Sequence, residues 1–319
     1  MQTLTLNEMI GGDACEALLD SVERMVNAGD LRQALDTLFD GLLEIRDSLN
    51  HDAWLALGRY LRTAHPLRHM IFQDPMTQRA FFKPRGYAGD AVMMDYLYGI
   101  HHSQAAERNA TDTGLELYHY IQSRPAGQAV RFRRKHIAGM IDRLAEQKAD
   151  ATVLAIAAGH LREAELSVAL ATGATARFVA LDADPESLLE VSTNYAELGV
   201  ETVHGSVRQI LARKVKLGSF DFVYAAGLYD YLNDAVAQTL TARMFEMTNP
   251  GGQVLVPNFT PSVQDRAYME AYMDWDLVYR DEYDMTKLLE RIPAEQIESY
   301  EIYTDPTNSV VYLLIRKAR

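Results

Sequence analysis

Through residue 149 the apolar positions recur every three or four residues. In LRQALDTLFDGLLEIRDSL (31 to 49), Leu31, Leu35, Leu38, Leu42 and Leu43 fall along one side of a helix. Similar spacing predicts helices over roughly 14–27, 52–73, 90–99, 104–123 and 126–146, with no strand pattern and no internal repeat. From residue 150 the pattern changes to short apolar runs. ATVLAIA (151–157), ARFVALD (176–182), ETVHG (201–205), FDFVYAA (220–226) and GQVLVPNF (252–259) read as strands. Helices begin between them near Leu161, Pro185, Ser206 and Asp234. That alternation predicts a parallel sheet wound on both faces. IESYEIYT (297–304) and NSVVYLLIRK (308–317) instead flank the turn signal DPT, which predicts an antiparallel hairpin at the sheet edge. The chain therefore reads as an all-helical domain, 1–149, followed by an α/β, Rossmann-like domain, 150–319.

Composition narrows the partners. A chain of 319 residues that is 48% apolar can bury a large core. Its one cysteine, Cys15, excludes a disulfide framework and suits a reducing compartment. The opening MQTLTLNEMIGGDACEALLD has neither a basic start nor a long apolar run, so no signal peptide is expected. No segment reaches the roughly 18 apolar residues of a membrane helix, and a cytoplasmic location is expected. A net charge of −13 argues against nucleic acid, and RFRRKH (131–136) reads as a solvated helix face. His65 and His69 lie one helical turn apart with no third ligand, so they read as surface histidines and no metal is expected. A small-molecule partner remains.

The chemistry concentrates at strand ends. VLAIAAGHLREAE (153–165) runs a strand into a helix through a turn with Ala157, Gly159 and His160. Gly159 permits close approach of a ligand or simply tight packing. FVALDADPESL (178–188) ends its strand on Asp182, with Ala183 beside it, about twenty residues past the glycine. That is where a carboxylate accepts both hydroxyls of a ribose. Asp184 suits the N-cap of the helix that Pro185 opens. Ser206 and Val207 follow the third strand, where adenine is held; Ser206 serves either there or as an N-cap. Ala225, Gly227, Tyr229 and Tyr231 belong to the turn after the fourth strand, which should face the reacting groups. In FFKPRGYAGD (81–90), Arg85 and Tyr87 stand in a loop suited to a lid, while Asp90 suits a helix N-cap.

VALDADP, FDFVYAAGLYDYL and NPGGQVLVPNF, in this order and spacing, resemble class I S-adenosylmethionine (SAM) methyltransferases over 150–319. The resemblance implies a seven-stranded sheet and SAM as the cofactor. That pattern usually carries an acidic residue near Ala155 and further glycines near Ala157 and Leu161, which this chain lacks, and Glu163 is the candidate replacement acid for the methionine ammonium. KPRGYAGD, SRPAGQAVRFRR, AGLYDYL and DWDLVYR further resemble bacterial 3-hydroxypalmitate methyl ester synthases, from about residue 70 onward. The same fold and lid also resemble azetidine-2-carboxylate synthases, which close SAM on itself and release methylthioadenosine. The first resemblance implies methyl transfer to an acidic acceptor held by Arg85 or Arg280, with Trp275 and Tyr279 nearby in a substrate-binding insertion. The second implies tyrosines such as Tyr118, Tyr229 and Tyr231 around a neutral amine and a sulfonium. A SAM-binding protein without catalysis is the third class.

Overall fold

The three-four spacing folds as helices spanning Gly12–Asn27, Leu31–Ser48, His51–Thr63, Pro75–Phe82, Ala91–Tyr98, His102–Asn109 and Asp112–Ser123. The computed structural model describes residues 12–319. Ala34, Leu35, Leu38, Phe39 and Leu42 form the buried stripe of the second of these helices. The stretch predicted at 52–73 breaks after Thr63 ahead of Pro66, which has no amide to continue a helix. His65 there is buried and its Nδ1 accepts the Leu67 amide at 3.3 Å, so it is not a surface residue. The stretch at 104–123 divides where the Thr111 hydroxyl accepts the Gly114 amide at 3.0 Å and starts a new helix.

The chain forms two compact units, Met1–Gln128 with Val263–Asp276, and Ala129–Ser262 with Leu277–Arg319. Both divisions differ from the boundary read at 149/150, for physical reasons visible in each unit. Within the helical unit, Tyr268 stacks on Phe39 with ring centroids 4.3 Å apart, and its hydroxyl meets Thr77 at 2.9 Å. Glu270 accepts the Trp54 indole at 2.6 Å and pairs with Arg46 at 3.0 Å. Within the sheet unit, the helix Pro125–Gln147 lays Phe132 and His136 against Tyr312, and the His136 ring meets the Tyr303 hydroxyl at 2.7 Å.

The sheet holds seven strands in the order β3-β2-β1-β4-β5-β7-β6. They are β1 Thr152–Ile156, β2 Arg177–Asp182, β3 Val200–His204, β4 Phe220–Tyr224, β5 Thr248–Phe259, β6 Ile297–Thr304 and β7 Val310–Lys317. The first five run parallel, and β7 is antiparallel to both β5 and β6. The Asp305 carboxylate shapes the last hairpin by accepting the amides of Thr307, Ser309 and Val310 at 2.7–2.8 Å. β5 begins earlier than GQVLVPNF suggests, so NPGG belongs to the strand. Among the described residues no helix is long and apolar enough to cross a membrane.

Asp221 ties the other end of the sheet together. Its carboxylate accepts Lys148 Nζ and Asn249 Nδ2 at 2.8 Å, and the amide and hydroxyl of Thr152 at 2.9 Å. Burial works to raise its pKa, but these donors outweigh burial and hold the carboxyl below its ordinary value of 3.8. A depressed carboxyl contributes stability above that ordinary value and loses it as pH falls. Asp221→Ala is expected to cost about 3 kcal/mol at neutral pH. Urea unfolding should show the difference from the parent shrinking below about pH 4.

Candidate functional site

β1 pairs with β2 on one side and β4 on the other, so the strand order reverses between β1 and β4. A parallel sheet opens a crevice there, beyond the carboxyl ends of its strands. The turn after β1 is built from conformations that favour glycine: Ala157, Gly159 and Leu161 have φ of +51°, +54° and +52°. For the alanine and the leucine this costs about 1 kcal/mol or more each, so neighbouring contacts must hold it. The Ala158 amide donates to the Leu181 carbonyl at 3.1 Å, and the Gly159 amide to Asp182 Oδ2 at 2.8 Å. Asp182 Oδ1 accepts the Asp184 amide, also at 2.8 Å. The Asp182 carboxylate is thereby fixed at the end of β2, with further lone pairs for hydroxyl donors.

Neighbouring polar residues divide between caps and candidates. Asp184 is the helix cap, accepting the amides of Glu186 and Ser187 at 3.0 and 3.3 Å. Ser206 is also an N-cap. Its hydroxyl accepts the Gln209 amide at 3.3 Å and its own amide donates to the Gln209 side chain at 2.8 Å, with Val207 opening the helix. The Ala183 carbonyl lies 3.1 Å from the His204 ring. His160 is buried, with Nδ1 3.4 Å from Arg162 Nη2.

Glu163 stands on the 3₁₀ turn Arg162–Leu166. Its buried carboxylate accepts the Tyr224 hydroxyl at 2.6 Å. Tyr224 ends β4 directly beside Ala155 in the β1 register. Glu163 thus brings a carboxylate to the side chain of the residue paired with Ala155. Burial pushes the Glu163 carboxyl up, against the Tyr224 bond and the charges of Arg133 and Arg134.

Arg133 was hidden in the basic run read as a solvated face. It is only 4% exposed, and a Cβ at Gly227 would stand 3.5 Å from its Nη2. Its charge also acts on Asp230, whose carboxyl burial pushes up to about 6 against a 2.7 Å bond from the Phe259 amide. Helical periodicity alone gave no signal for Arg133, since arginines on every side of a helix look alike in sequence. Asp230 was visible inside AGLYDYL yet outshone by its tyrosines.

Other expected residues are committed to structure. Arg280 uses all five N–H donors: Nε and Nη2 on Asp234 at 3.2 and 2.8 Å, Nη1 on the Tyr229 carbonyl and Asn258 at 3.0 and 2.7 Å, and Nη2 on the Leu232 carbonyl at 2.7 Å. No donor remains to grip a substrate, so its expected role as an acid anchor is corrected. Tyr229 is equally corrected as a ligand contact. Its ring lies in the core and its hydroxyl meets Thr241 at 2.9 Å. Ala225 is fully buried, and Tyr231 is 38% exposed. In the helical unit, Tyr118 is buried and donates to the Tyr96 carbonyl at 2.6 Å. Asp90 is the expected cap, accepting the Met93 amide at 2.8 Å and Arg79 at 2.9 and 2.6 Å. Arg85 is half-buried and Tyr87 exposed on that loop, while Trp275 is buried.

Residues 153–252 match the family model described as a methyltransferase domain. With the strand order and terminal hairpin above, that match decides the fold. The sheet unit has the class I methyltransferase fold. No curated protein matches the chain. A solved structure from Bordetella parapertussis, described as a possible exported protein, is 14% identical with a TM-score of 0.54, over 86% of this chain and 99% of that one. The N-methyltransferase NodS from Bradyrhizobium japonicum WM9, in complex with S-adenosyl-L-homocysteine, is 15% identical with a TM-score of 0.44, over 68% and 98%. Magnesium protoporphyrin IX methyltransferase from Synechocystis PCC 6803 is 12% identical with a TM-score of 0.45, over 60% and 87%. Around the ends of the parallel strands the sheet unit holds Asp182 at the end of β2, buried Glu163 and Asp230, and buried Arg133. Such a set can take hydroxyls, an ammonium and a carboxylate.

Proposed function

We propose that the chain is an enzyme that binds SAM and transfers its methyl group to a small acidic acceptor, such as a 3-hydroxy fatty acid, in bacterial signal or natural-product biosynthesis. Asp182 carries the reading. Its carboxylate is held at the end of β2 by two backbone amides, one of them from the left-handed turn after β1 that borders the switch point. Asp182 would receive the ribose hydroxyls. Glu163 and Asp230 would face the ammonium, and Arg133 the carboxylate, of the methionine end. Bound SAM supplies a sulfonium whose methyl carbon is electrophilic. The protein's part is then alignment, since a carboxylate acceptor needs no base and positioned reactants reach effective molarities of about 10⁵–10⁸ M. Arg85 and Tyr87 are proposed for the acceptor, and Tyr231 for the rim of the site.

One observation favours a second reading, cyclisation of SAM to azetidine-2-carboxylate with release of methylthioadenosine. The SAM amine must be neutral to attack its own γ-carbon, and Glu163, which burial keeps from ionising readily, does not force an ammonium. Incubation of the protein with SAM alone, read by mass spectrometry, separates the two. Methylthioadenosine formed in step with azetidine-2-carboxylate establishes cyclisation. Intact SAM, followed by S-adenosylhomocysteine once 3-hydroxy fatty acids are added, establishes methyl transfer. Absence of SAM binding in equilibrium dialysis overturns both readings, and binding without product overturns cyclisation and the 3-hydroxy fatty acid acceptor, leaving another acceptor or a non-catalytic binder.

A further inference from the structure

The turn after β1 holds three residues at positive φ with a single glycine among them, and the arginine that follows has had no part in either reading above. Arg162 is 2% exposed. Its Nη2 donates to Glu190 on the helix Pro185–Tyr195 at 2.6 Å, and Nη1 to the Tyr195 hydroxyl at 3.1 Å and Glu165 at 3.4 Å. Tyr195 in turn donates to Glu165 at 2.7 Å. Arg134, on the helix Pro125–Gln147, closes the network. It donates to the Arg162 carbonyl at 2.8 Å and to Glu165 at 2.7 Å. Both the backbone and the side chain of the residue next to Leu161 are therefore anchored to separate helices.

A buried arginine costs desolvation that its ion pairs offset only when the geometry is tight. A short 3₁₀ turn needs no such anchor to stay folded. A turn with alanine and leucine in the left-handed region does, because the relaxed conformation competes with it. We propose that Arg162 is a positioning residue that clamps residues 157–161 in their ligand-ready conformation, in place of the glycines this turn lacks. The inference rests on reading that turn as the SAM site. If only a fraction of molecules holds the turn in the binding form, the apparent dissociation constant rises by the inverse of that fraction. Loss of the clamp lowers the fraction, and glycine at 157 raises it again.

The test is a double-mutant cycle in the full chain between Arg162→Met and Ala157→Gly. SAM affinity is read by equilibrium dialysis, and protection of the Gly159 amide by hydrogen exchange without ligand. Arg162→Met is expected to raise the dissociation constant about 30-fold. At saturating SAM, kcat should be held, because Arg162 touches no reacting atom. Ala157→Gly should recover most of that loss in the Arg162→Met background, a gain well above any it brings to the parent. Equal effects in both backgrounds overturn the clamp. If Arg162→Met does not fold, Glu190→Gln loosens the same network from a side chain that is 28% exposed, with about a fivefold effect expected and the same rescue. Gly159 protection should fall in either variant and return with glycine at 157. Unchanged protection overturns the clamp even in a chain that binds no SAM, whereas an intact clamp without SAM binding overturns the functional reading alone.

Discussion

Asp182→Ala is expected to raise the dissociation constant for SAM by about two to three orders of magnitude, because hydrogen bonds to a charged acceptor contribute about 1.5–3 kcal/mol each. The carboxylate has two tasks: it accepts the Gly159 and Asp184 amides, and it is the proposed acceptor for the ribose hydroxyls. Asp182→Asn separates them. An amide keeps one oxygen acceptor and turns the other position into a donor that faces a backbone N–H. Asparagine should therefore recover little of the affinity. Isothermal titration with SAM, and with adenosine as the truncated ligand, checks the assignment. Equal losses for both ligands place Asp182 on the nucleoside; a loss confined to SAM would move it to the methionine end.

The second large effect belongs to Arg133. Removal of this buried cation takes away the one charge that favours the ionised forms of both Glu163 and Asp230, leaving Arg134 to the first and Arg280 to the second. Arg133→Met is expected to raise KM for SAM about 30-fold or more, since the proposed charge-assisted pair to the ligand carboxylate is lost. Its pH dependence carries the signature. Burial already pushes Asp230 up to about 6, so in the parent the pocket gains negative charge, and grip on a cationic ligand, as pH rises through that value. Without Arg133 this limb of kcat/KM should move to higher pH. Stability follows the same sign. A carboxyl with a raised folded pKa contributes stability below its ordinary value of 3.8 and loses it as pH rises towards about 6. The cost of Arg133→Met in thermal unfolding should thus be smaller at pH 5 than at pH 7. An equal cost at both pH values would mean that Arg133 does not serve these carboxyls.

Legibility in the sequence followed the range of the interactions involved. Asp182, Asp184 and Asp90 were readable because a strand end or a helix cap is set by a few adjacent residues. Ser206 stayed ambiguous from sequence, since a cap and an adenine contact use the same residue type. Tyr229 was misread because a tyrosine in a site motif looks the same whether its ring enters the crevice or the core; only Thr241, on the helix Asp234–Glu246, decides it. Arg280 looked like a free anchor until Asn258, Asp234 and two backbone carbonyls filled its donors.

By itself the sequence determined the helical first half, the seven strands, the terminal hairpin and the acid at the end of β2. Periodicity and turn chemistry act within a few residues, so each of these is written locally. The tertiary structure alone decided that Val263–Asp276 folds with the helical unit, that Glu163 meets Tyr224, and that Arg133 is buried against the turn at Gly227. It also decided that alanine and leucine occupy left-handed backbone where glycines were expected. Those outcomes depend on which distant groups share a buried volume, where desolvation and pairing outweigh local propensity.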